Sequence, residues 1–372
     1  MRKQLYVCFA MPGVPIFGSG GTKIIYKLVE QFASHGISVG VLFADRNTWL
    51  DFLLRNQKKK LPFMKTLLRM NDSHLGYLLL NPIVKKILRI PHYGSVKGAT
   101  KLFGIKKVSD YDIRYLVATN FAIARDLMNT PSVGERTILF SQVDETDENY
   151  SDGYDKRKIE EVYSEVRYKI FLNESIASRY QGSKVTNIGI DQNLFKLTHD
   201  IDERDGSCVL FQLKQGKQKG VLTALRAMDK IHNLDSKAKV IAFGNLPKHA
   251  VPYYAEYHRN PSNSELVALM NDSAIFVITS KIEGTPAPPL EAMSCGCAVV
   301  STDNIGIRRY LVNGQNGILV DVDDAEAVAE AVLKLMNDNE LRRRIAINGY
   351  SSSRVYSYER MFCDFKEILE QF

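Results

Sequence analysis

Residues 274–302, AIFVITSKIEGTPAPPLEAMSCGCAVVST, contain two short apolar runs separated by a proline-rich loop and a helical segment. The runs AIFVITS and CAVVST have the length of strands and are rich in Ile and Val, which is typical of strands buried on both faces. A helix is predicted from about Pro289, because proline is preorganised for the first helical position. A strand, a helix and a second strand in this order predict a parallel sheet.

The same alternation continues toward both ends of the chain. Apolar runs at 5–10 and 36–44 predict strands on either side of a helix with an apolar face over 22–35. A polar, acid-rich linker at 198–206 precedes a second series of strands and helices. We therefore predict an α/β protein of two tandem, Rossmann-like, doubly wound domains facing a central cleft. In such sheets ligands bind at the carboxyl ends of the strands and between domains.

The linker sets the predicted domain boundaries. The first domain covers 1–197 and contains an irregular, basic insertion at about 46–107, and the second domain covers 198–355. The helix at 356–372 is expected to pack back toward the first domain. A chain of 372 residues with 45% hydrophobic and 24% charged residues is long enough for two such cores.

The sequence predicts neither a signal peptide nor a membrane-spanning helix. The run LYVCFA near the start has the character of a buried strand, and no run approaches the ~18–20 apolar residues of a membrane span. The five cysteines are scattered and odd in number, which favours free thiols in a reducing compartment. We expect a cytoplasmic protein, either soluble or peripheral on the inner face of the plasma membrane.

The net charge of +7 is concentrated in one part of the first domain. Residues 54–107 contain thirteen Lys and Arg residues and a single acid, Asp72, interleaved with aliphatic and aromatic residues. Such a surface suits anionic lipid, although a solvated basic insertion is the alternative. No nucleic-acid-binding motif accompanies it, so we predict an anionic membrane surface as a partner and no nucleic acid.

Two glutamates flank the proline-rich loop, Glu283 before it and Glu291 after it. The dipole and free N–H groups of the predicted helix favour an anion such as a phosphate. Glu291 is then expected in the first helical turn, within reach of the hydroxyl groups of a ligand. The alternative is structural, with Glu291 as a helix-capping acid and Glu283 as an ordinary loop acid.

Two further loops join a predicted strand to a predicted helix. The segment 213–220, LKQGKQKG, places three lysines at a helix N-terminus, which suits a pyrophosphate, although GxxxxGK[ST] is absent. The segment 18–22, GSGGT, allows close approach of backbone to a ligand, but it lacks the full GxGxxG spacing. A solvated lysine loop and a flexible turn capped by Thr22 are the respective structural alternatives.

The sequence contains no motif typical of a metal site or of a catalytic Ser-His-Asp triad. The seven histidines form no HxxxH or CxxH pair, so we predict no metal site. No GxSxG elbow is present either.

Taken together, these segments resemble the family 4 glycosyltransferases of the GT-B fold. The sequence EGTPAPPLEAMSCGCAVVST resembles the E-x7-E segment of the family, and KQGKQKG resembles its R/K-x4-KG loop. NIGIDQNLF at 187–195 and VNGQNGILVDVDDAEAVAEAV from Val312 resemble two further family segments in the expected order. The glycine loop before the first helix adds a weaker likeness, and residues 46–107 show little.

The resemblance implies transfer of a hexose from a nucleotide-sugar donor, with retention and without metal or other cofactor. Lys214 and Lys219 would hold the donor diphosphate and stabilise the charge of the leaving group. Glu283 would lie near the hydroxyl groups of the donor sugar, as a third catalytic residue. The other positions implied to bind the donor, through backbone or ribose contacts, are Gly20, Gly21, Gly284, Thr285, Pro286 and Glu291.

The chain departs from the family pattern at two places. Gln142 stands where many relatives have a histidine near the donor sugar, and Asp144 follows it, so both are candidate sugar or acceptor contacts. The family often has an acidic residue three positions after a glycine, which is Gly306 in this chain. Arg309 stands at the position of that acid. Two alternatives therefore stay open: a sugar-nucleotide epimerase of similar fold, and a non-catalytic, transferase-like binding protein.

Overall fold

The computed structural model describes residues 2–12, 20–44, 98–131, 133–147 and 155–372. The chain divides into two compact units, Met1–Asn187 with Met361–Phe372, and Ile188–Arg360. Most of the predicted basic insertion, and Gly18 and Ser19 of the glycine loop, lie outside the described residues.

The first unit is built on a parallel sheet of seven strands. The strands are β1 (Lys3–Met11), β2 (Val39–Phe43), β3 (Thr100–Phe103), β4 (Tyr111–Ala118), β5 (Thr137–Ser141), β6 (Tyr168–Phe171) and β7 (Ser183–Val185). Their order across the sheet is β3-β2-β1-β4-β5-β6-β7, so the chain reverses direction across the sheet between β1 and β4. Strands β3 and β7 were not predicted, because each has only three or four residues and neither is fully buried.

Four helices lie between these strands in the described residues of the first unit. They are α1 (Gly20–Ser34), α2 (Phe121–Met128), α3 (Lys156–Glu165) and α4 (Glu174–Ala177). Helix α1 buries Ile24, Leu28 and Phe32, at the spacing expected of one helix face. Gly36 has a φ of 72° and ends the helix region, as predicted, because glycine adopts the left-handed conformation at little cost.

The second unit contains a parallel sheet of six strands. These are β8 (Cys208–Leu213), β9 (Lys239–Gly244), β10 (Glu256–Arg259), β11 (Ile275–Ile278), β12 (Ala298–Thr302) and β13 (Ile318–Val320). The order is β10-β9-β8-β11-β12-β13, so the direction reverses between β8 and β11. Two parallel-sheet α/β domains are thus confirmed, and ligands of such sheets bind beyond the carboxyl ends of the strands at the reversal.

The second unit has five complete helices. They are α5 (Val221–Leu234), α6 (Asn263–Asp272), α7 (Ala287–Ser294), α8 (Ala325–Asn337) and α9 (Asn339–Ser353). Helix α6 begins with a capping box in which Ser262 and Glu265 satisfy each other's backbone N–H groups. Asp324 caps helix α8 by accepting a hydrogen bond from the Ala327 amide.

A last helix, α10 (Tyr358–Glu370), passes from one unit to the other, and the first unit includes it from Met361 onward. The ring of Phe365 lies 5.7 Å from that of Phe9 and 5.0 Å from that of Phe140, measured between centroids. This segment therefore completes the core of the first unit. No helix among the described residues is both long enough and apolar enough to span a membrane.

Candidate functional site

The lysine loop and the glutamate loop follow two neighbouring strands of the second sheet. Strands β8 and β11 pair in parallel, so Lys214 and Lys281, which follow the two strand ends, start from the same sheet edge. The Lys219 Nζ lies 2.6 Å from the Glu283 Oε1. Only 20% of the lysine side chain and 11% of the glutamate side chain are exposed. Two residues 64 positions apart thus form a partly buried ion pair.

Gly220 fixes how closely the two loops approach. Its φ is 60°, and a Cβ at this position would lie 1.7 Å from the carbonyl oxygen of Thr279. The Thr279 hydroxyl in turn donates to the Gly220 carbonyl oxygen at 2.9 Å. The lysine loop therefore needs glycine here for two reasons, the left-handed backbone and the close approach to β11.

The glutamate loop is held from the other side by residues after β12. A Cβ at Gly306 would lie 2.5 Å from the Glu283 carbonyl oxygen, so this glycine also permits a close approach. The buried Tyr310 hydroxyl donates to the Pro286 carbonyl oxygen at 2.6 Å. Burial raises the pKa of Tyr310 far above its ordinary value, and the nearby carboxylates of Glu283 and Glu291 raise it further. Tyr310 therefore remains a hydrogen-bond donor at neutral pH.

Helix α7 begins at Ala287, two residues before the predicted start at Pro289. Glu291 is the fifth helical residue and lies in the second turn, so the expectation of a first-turn glutamate was wrong. Pro288 and Pro289 occupy the second and third positions and have no N–H group. The helix dipole remains, but most of the first-turn backbone donors expected for an anion are missing.

The other site residues predicted in this unit differ in how far their side chains are exposed to solvent. Glu291 is 4% exposed, and Thr285 is 8% exposed with its hydroxyl donating to the Gly284 carbonyl oxygen at 2.8 Å. Lys214, directly after β8, has an exposed side chain. The structure thus brings Lys219 to Glu283, while Lys214 stands at the entrance of the same loop.

In the first unit the structure brings Gln142 to the glycine loop. Gln142 follows β5, and its Nε2 donates to the Gly21 carbonyl oxygen at 3.1 Å. A Cβ at Gly21 would lie 3.1 Å from the Gln142 Oε1, whereas a Cβ at Gly20 meets no described atom within 4 Å. The Gln142 Oε1 is buried and has no hydrogen-bond partner among the described residues. This oxygen is an acceptor suited to a hydroxyl group.

A cluster of residues that was not predicted from the sequence anchors the Gln142 loop. The Glu145 Oε2 accepts hydrogen bonds from the Tyr163 hydroxyl at 2.7 Å, the Phe121 amide at 3.1 Å and the Ser141 hydroxyl at 3.2 Å. Burial raises the pKa of Glu145 to about 7, although these hydrogen bonds favour the ionised form. No local sequence signal marks this cluster, because its members come from three separate elements.

Asp144 is held in contacts within the protein. Its carboxylate lies 2.6 Å from the Arg179 Nη2 and accepts a hydrogen bond from the Thr146 hydroxyl at 2.5 Å. Across the described ranges of the chain, no group of three His, Cys, Asp or Glu side chains is arranged to hold a metal ion.

The raised pKa of Glu145 predicts a pH-dependent stability. Between the ordinary value of 4.5 and about 7, the folded state retains a proton that the unfolded chain releases. The contribution of this group to the stability is therefore largest below 4.5 and is lost as the pH rises through about 7. In urea unfolding, we expect the free energy of unfolding of wild type, relative to that of Glu145→Gln, to decrease as the pH rises through this window. Glu161→Gln, at an exposed position of α3, is the control, and a difference independent of pH would contradict the prediction.

The comparisons with known proteins find the clearest sequence similarity in the second unit. Residues 202–352 match the family model described as glycosyl transferases group 1. An uncharacterized glycosyltransferase of Methanocaldococcus jannaschii is 27% identical over 161 residues, 41% of this chain and 45% of that protein. The capsular polysaccharide biosynthesis glycosyltransferase CapM of Staphylococcus aureus is 28% identical over 142 residues, 36% of this chain and 37% of that protein. The matched segment spans less than half the length of each of these relatives.

A solved structure extends the likeness over almost the whole chain. HepE of Anabaena, solved in complex with UDP-glucose, matches with a TM-score of 0.68 at 15% identity, covering 99% of this chain and 100% of that chain. At this identity the likeness concerns the fold. The chain therefore has the GT-B fold, and its residues 202–352 are similar to the domain described by the model of the group 1 glycosyl transferases.

Proposed function

We propose that this protein transfers a hexose from a nucleotide-sugar donor to a glycan or lipid-linked acceptor. The transfer proceeds with retention and without a metal, in the synthesis of a cell-surface polysaccharide or glycolipid. The name of CapM, a capsular polysaccharide glycosyltransferase, supports this acceptor class. The bound UDP-glucose of HepE supports a nucleotide-sugar donor, although the base and sugar of the present donor stay open.

The observation that carries the proposal is the ion pair between Lys219 and Glu283, 2.6 Å apart at the carboxyl edge of the second sheet. A nucleotide sugar has a diphosphate for the ammonium group and hydroxyl groups for the carboxylate. In the proposed reaction the anomeric C–O bond to the diphosphate breaks, and its electron pair goes to the leaving diphosphate. A new C–O bond forms to an acceptor hydroxyl group, whose proton passes to the released diphosphate. A lysine placed beside that oxygen stabilises the developing negative charge in a site with little water.

The other residues of the site would bind and orient the donor. Glu291 is buried beside Tyr310 and would accept hydrogen bonds from the ribose hydroxyl groups. In the first unit, the Gln142 Oε1 has no hydrogen-bond partner among the described residues and would accept a hydrogen bond from a sugar hydroxyl. Glutamine neither gives nor takes a proton at neutral pH, so this contact would orient the sugar and not act as an acid or base.

A screen of the purified protein against a panel of nucleotide sugars tests the proposal. Release of the nucleoside diphosphate in the presence of a polysaccharide or lipid-linked acceptor fraction is the expected result. Epimerised nucleotide sugar formed without any acceptor would instead identify an epimerase. Absence of any nucleotide binding in calorimetry would identify a binding protein of the transferase fold.

Replacement of Glu291 should weaken donor binding and turnover together. Hydrogen bonds to a charged group contribute enough that we expect Glu291→Ala to lower kcat/KM for the donor by about tenfold to a hundredfold. Steady-state kinetics with the donor found in the screen measures the effect. Glu330→Ala, whose side chain is 73% exposed on α8, is the matched control. An unchanged rate in Glu291→Ala would remove Glu291 from the site.

The proposed membrane association rests on the lysine and arginine count of residues 54–107. Only Lys101, Lys106 and Lys107 of its thirteen basic residues lie in the described part of the chain. An anionic membrane surface as a partner therefore stays a prediction from the sequence.

A further inference from the structure

Asp323 stands in an unusual backbone conformation next to the candidate site. Its φ is +65°, and among the described residues it is one of two non-glycine residues with a positive φ. The residue lies between β13 and Asp324, the N-cap of α8. Aspartate tolerates the left-handed region better than most residues, but glycine adopts it more readily.

The Asp323 carboxylate connects the two loops that hold the ion pair. Its Oδ2 lies 2.5 Å from the Nζ of Lys281, two residues before Glu283. Its Oδ1 accepts a hydrogen bond at 3.2 Å from the hydroxyl of Thr223, in the first turn of α5 and four residues after Lys219. One carboxylate thus contacts both the glutamate loop and the helix that follows the lysine loop.

The backbone strengthens the same connection. The Lys281 amide donates to the Gln218 carbonyl oxygen at 2.7 Å, one residue before Lys219. Lys281 is therefore tied to the lysine loop by its backbone and to Asp323 by its side chain. Both contacts lie within two residues of the Lys219–Glu283 pair along the chain, because Gln218 precedes Lys219 and Lys281 is two residues before Glu283.

We propose that Asp323 is a positioning residue, which holds the lysine and glutamate loops at the separation that the donor diphosphate and sugar require. This inference rests on the proposed function for its effect on catalysis. Asp323 acts through Lys281 and Thr223 and does not touch the donor.

A positioning role and a stabilising role predict effects of different size on rate and on stability. The side chains of Lys281 and Asp323 are 40% and 51% exposed, and an exposed ion pair adds little to the stability of a protein. Small displacements of catalytic groups, by contrast, have large effects on rate. Loss of the carboxylate should therefore change catalysis more than folding.

Asp323→Gly is the decisive variant, because glycine suits the φ of +65° and removes only the side-chain contacts. A purely structural turn would retain activity and gain stability from this change. If Asp323 is a positioning residue, the melting temperature should stay equal or rise, while kcat/KM for the donor falls by about threefold to tenfold. Backbone amides of 216–220 and 281–284 should exchange hydrogen faster, in a measurement that needs no donor.

A second pair of variants isolates the contact to Lys281. Lys281→Met should reproduce the effect of Asp323→Gly, and the double variant should be no worse than either single one. Lys239→Met is the matched control, because Lys239 also forms a short ion pair, with Asp205 at 2.7 Å, at the amino end of the sheet. This control should change neither the exchange of the two loops nor the kinetics.

Different results would contradict the positioning role of Asp323 and the proposed function. Wild-type protein that releases no nucleoside diphosphate with any donor overturns the proposed function, and the exchange measurement still tests the connection between the loops. Wild-type activity with unchanged exchange and kinetics in Asp323→Gly overturns the positioning role alone. Equal losses in Asp323→Gly and Lys239→Met would also overturn it.

Discussion

Lys219→Met should lower kcat by about a hundredfold to a thousandfold, the loss found when one group that stabilises developing negative charge is removed. Methionine retains much of the length and apolar stem of lysine but has no charge. The variant also leaves the Glu283 carboxylate, with 11% of its side chain exposed, without the ammonium group at 2.6 Å. Single-turnover release of the nucleoside diphosphate measures the chemical step directly.

Two further variants show whether the effect belongs to Lys219. Lys217→Met removes an exposed lysine from the same short turn, Lys217–Lys219, and should stay within about threefold of wild type, since exposed charges are well screened. Lys219→Arg restores the positive charge and should recover part of the rate. A Lys219→Met protein as active as the Lys217→Met control would end the assignment of Lys219 as the group that stabilises the leaving diphosphate.

Gly220→Ala should lower the free energy of unfolding of the second unit by about 3 kcal/mol or more, through left-handed strain and a collision with backbone. The added Cβ would lie 1.7 Å from the Thr279 carbonyl oxygen, an impossible distance that forces the lysine loop away from β11. Urea unfolding followed by hydrogen exchange of the second unit measures the loss. We expect donor binding to weaken as well, because Lys219 moves with the loop.

Gly314→Ala is the control that separates left-handed strain from the collision with backbone. Gly314 has a φ of 73°, similar to the 60° of Gly220, but a Cβ there meets no described atom within 4 Å. This control should therefore lose only the cost of the left-handed backbone, about 1 kcal/mol. Equal losses in the two alanine variants would show that the approach of the lysine loop to Thr279 does not matter for stability.

The fold was largely predictable because its signals are local. The runs that became β11 and β12 are rich in β-branched residues, and that of β8 is largely apolar, so the positions of all three follow from a short window of sequence. The start of α7 was misplaced because proline fits any of the first helical positions, and the loop has three prolines within four residues. Strand β10 was missed because its four residues are largely polar and partly exposed.

The partners of the candidate residues were less predictable. From the sequence, only the resemblance to a family indicated that the lysine loop and the glutamate loop belong to one site. Nothing local predicted that Lys219 contacts Glu283, that Glu145 anchors the Gln142 loop or that Asp323 reaches Lys281. Each of these contacts joins elements 18 to 64 residues apart.

By itself, the sequence determined the α/β class, the tandem domains and the motif loops, because hydrophobic period and turn residues act over a few positions. Only the tertiary structure decided which charges meet. Strand order places β8 beside β11, and the glycines at 220 and 306 allow backbones to approach closely there. Glu283 is consequently an ion-pair partner of Lys219, and Glu291 is a buried second-turn residue, although both appear alike as glutamates flanking a proline-rich loop.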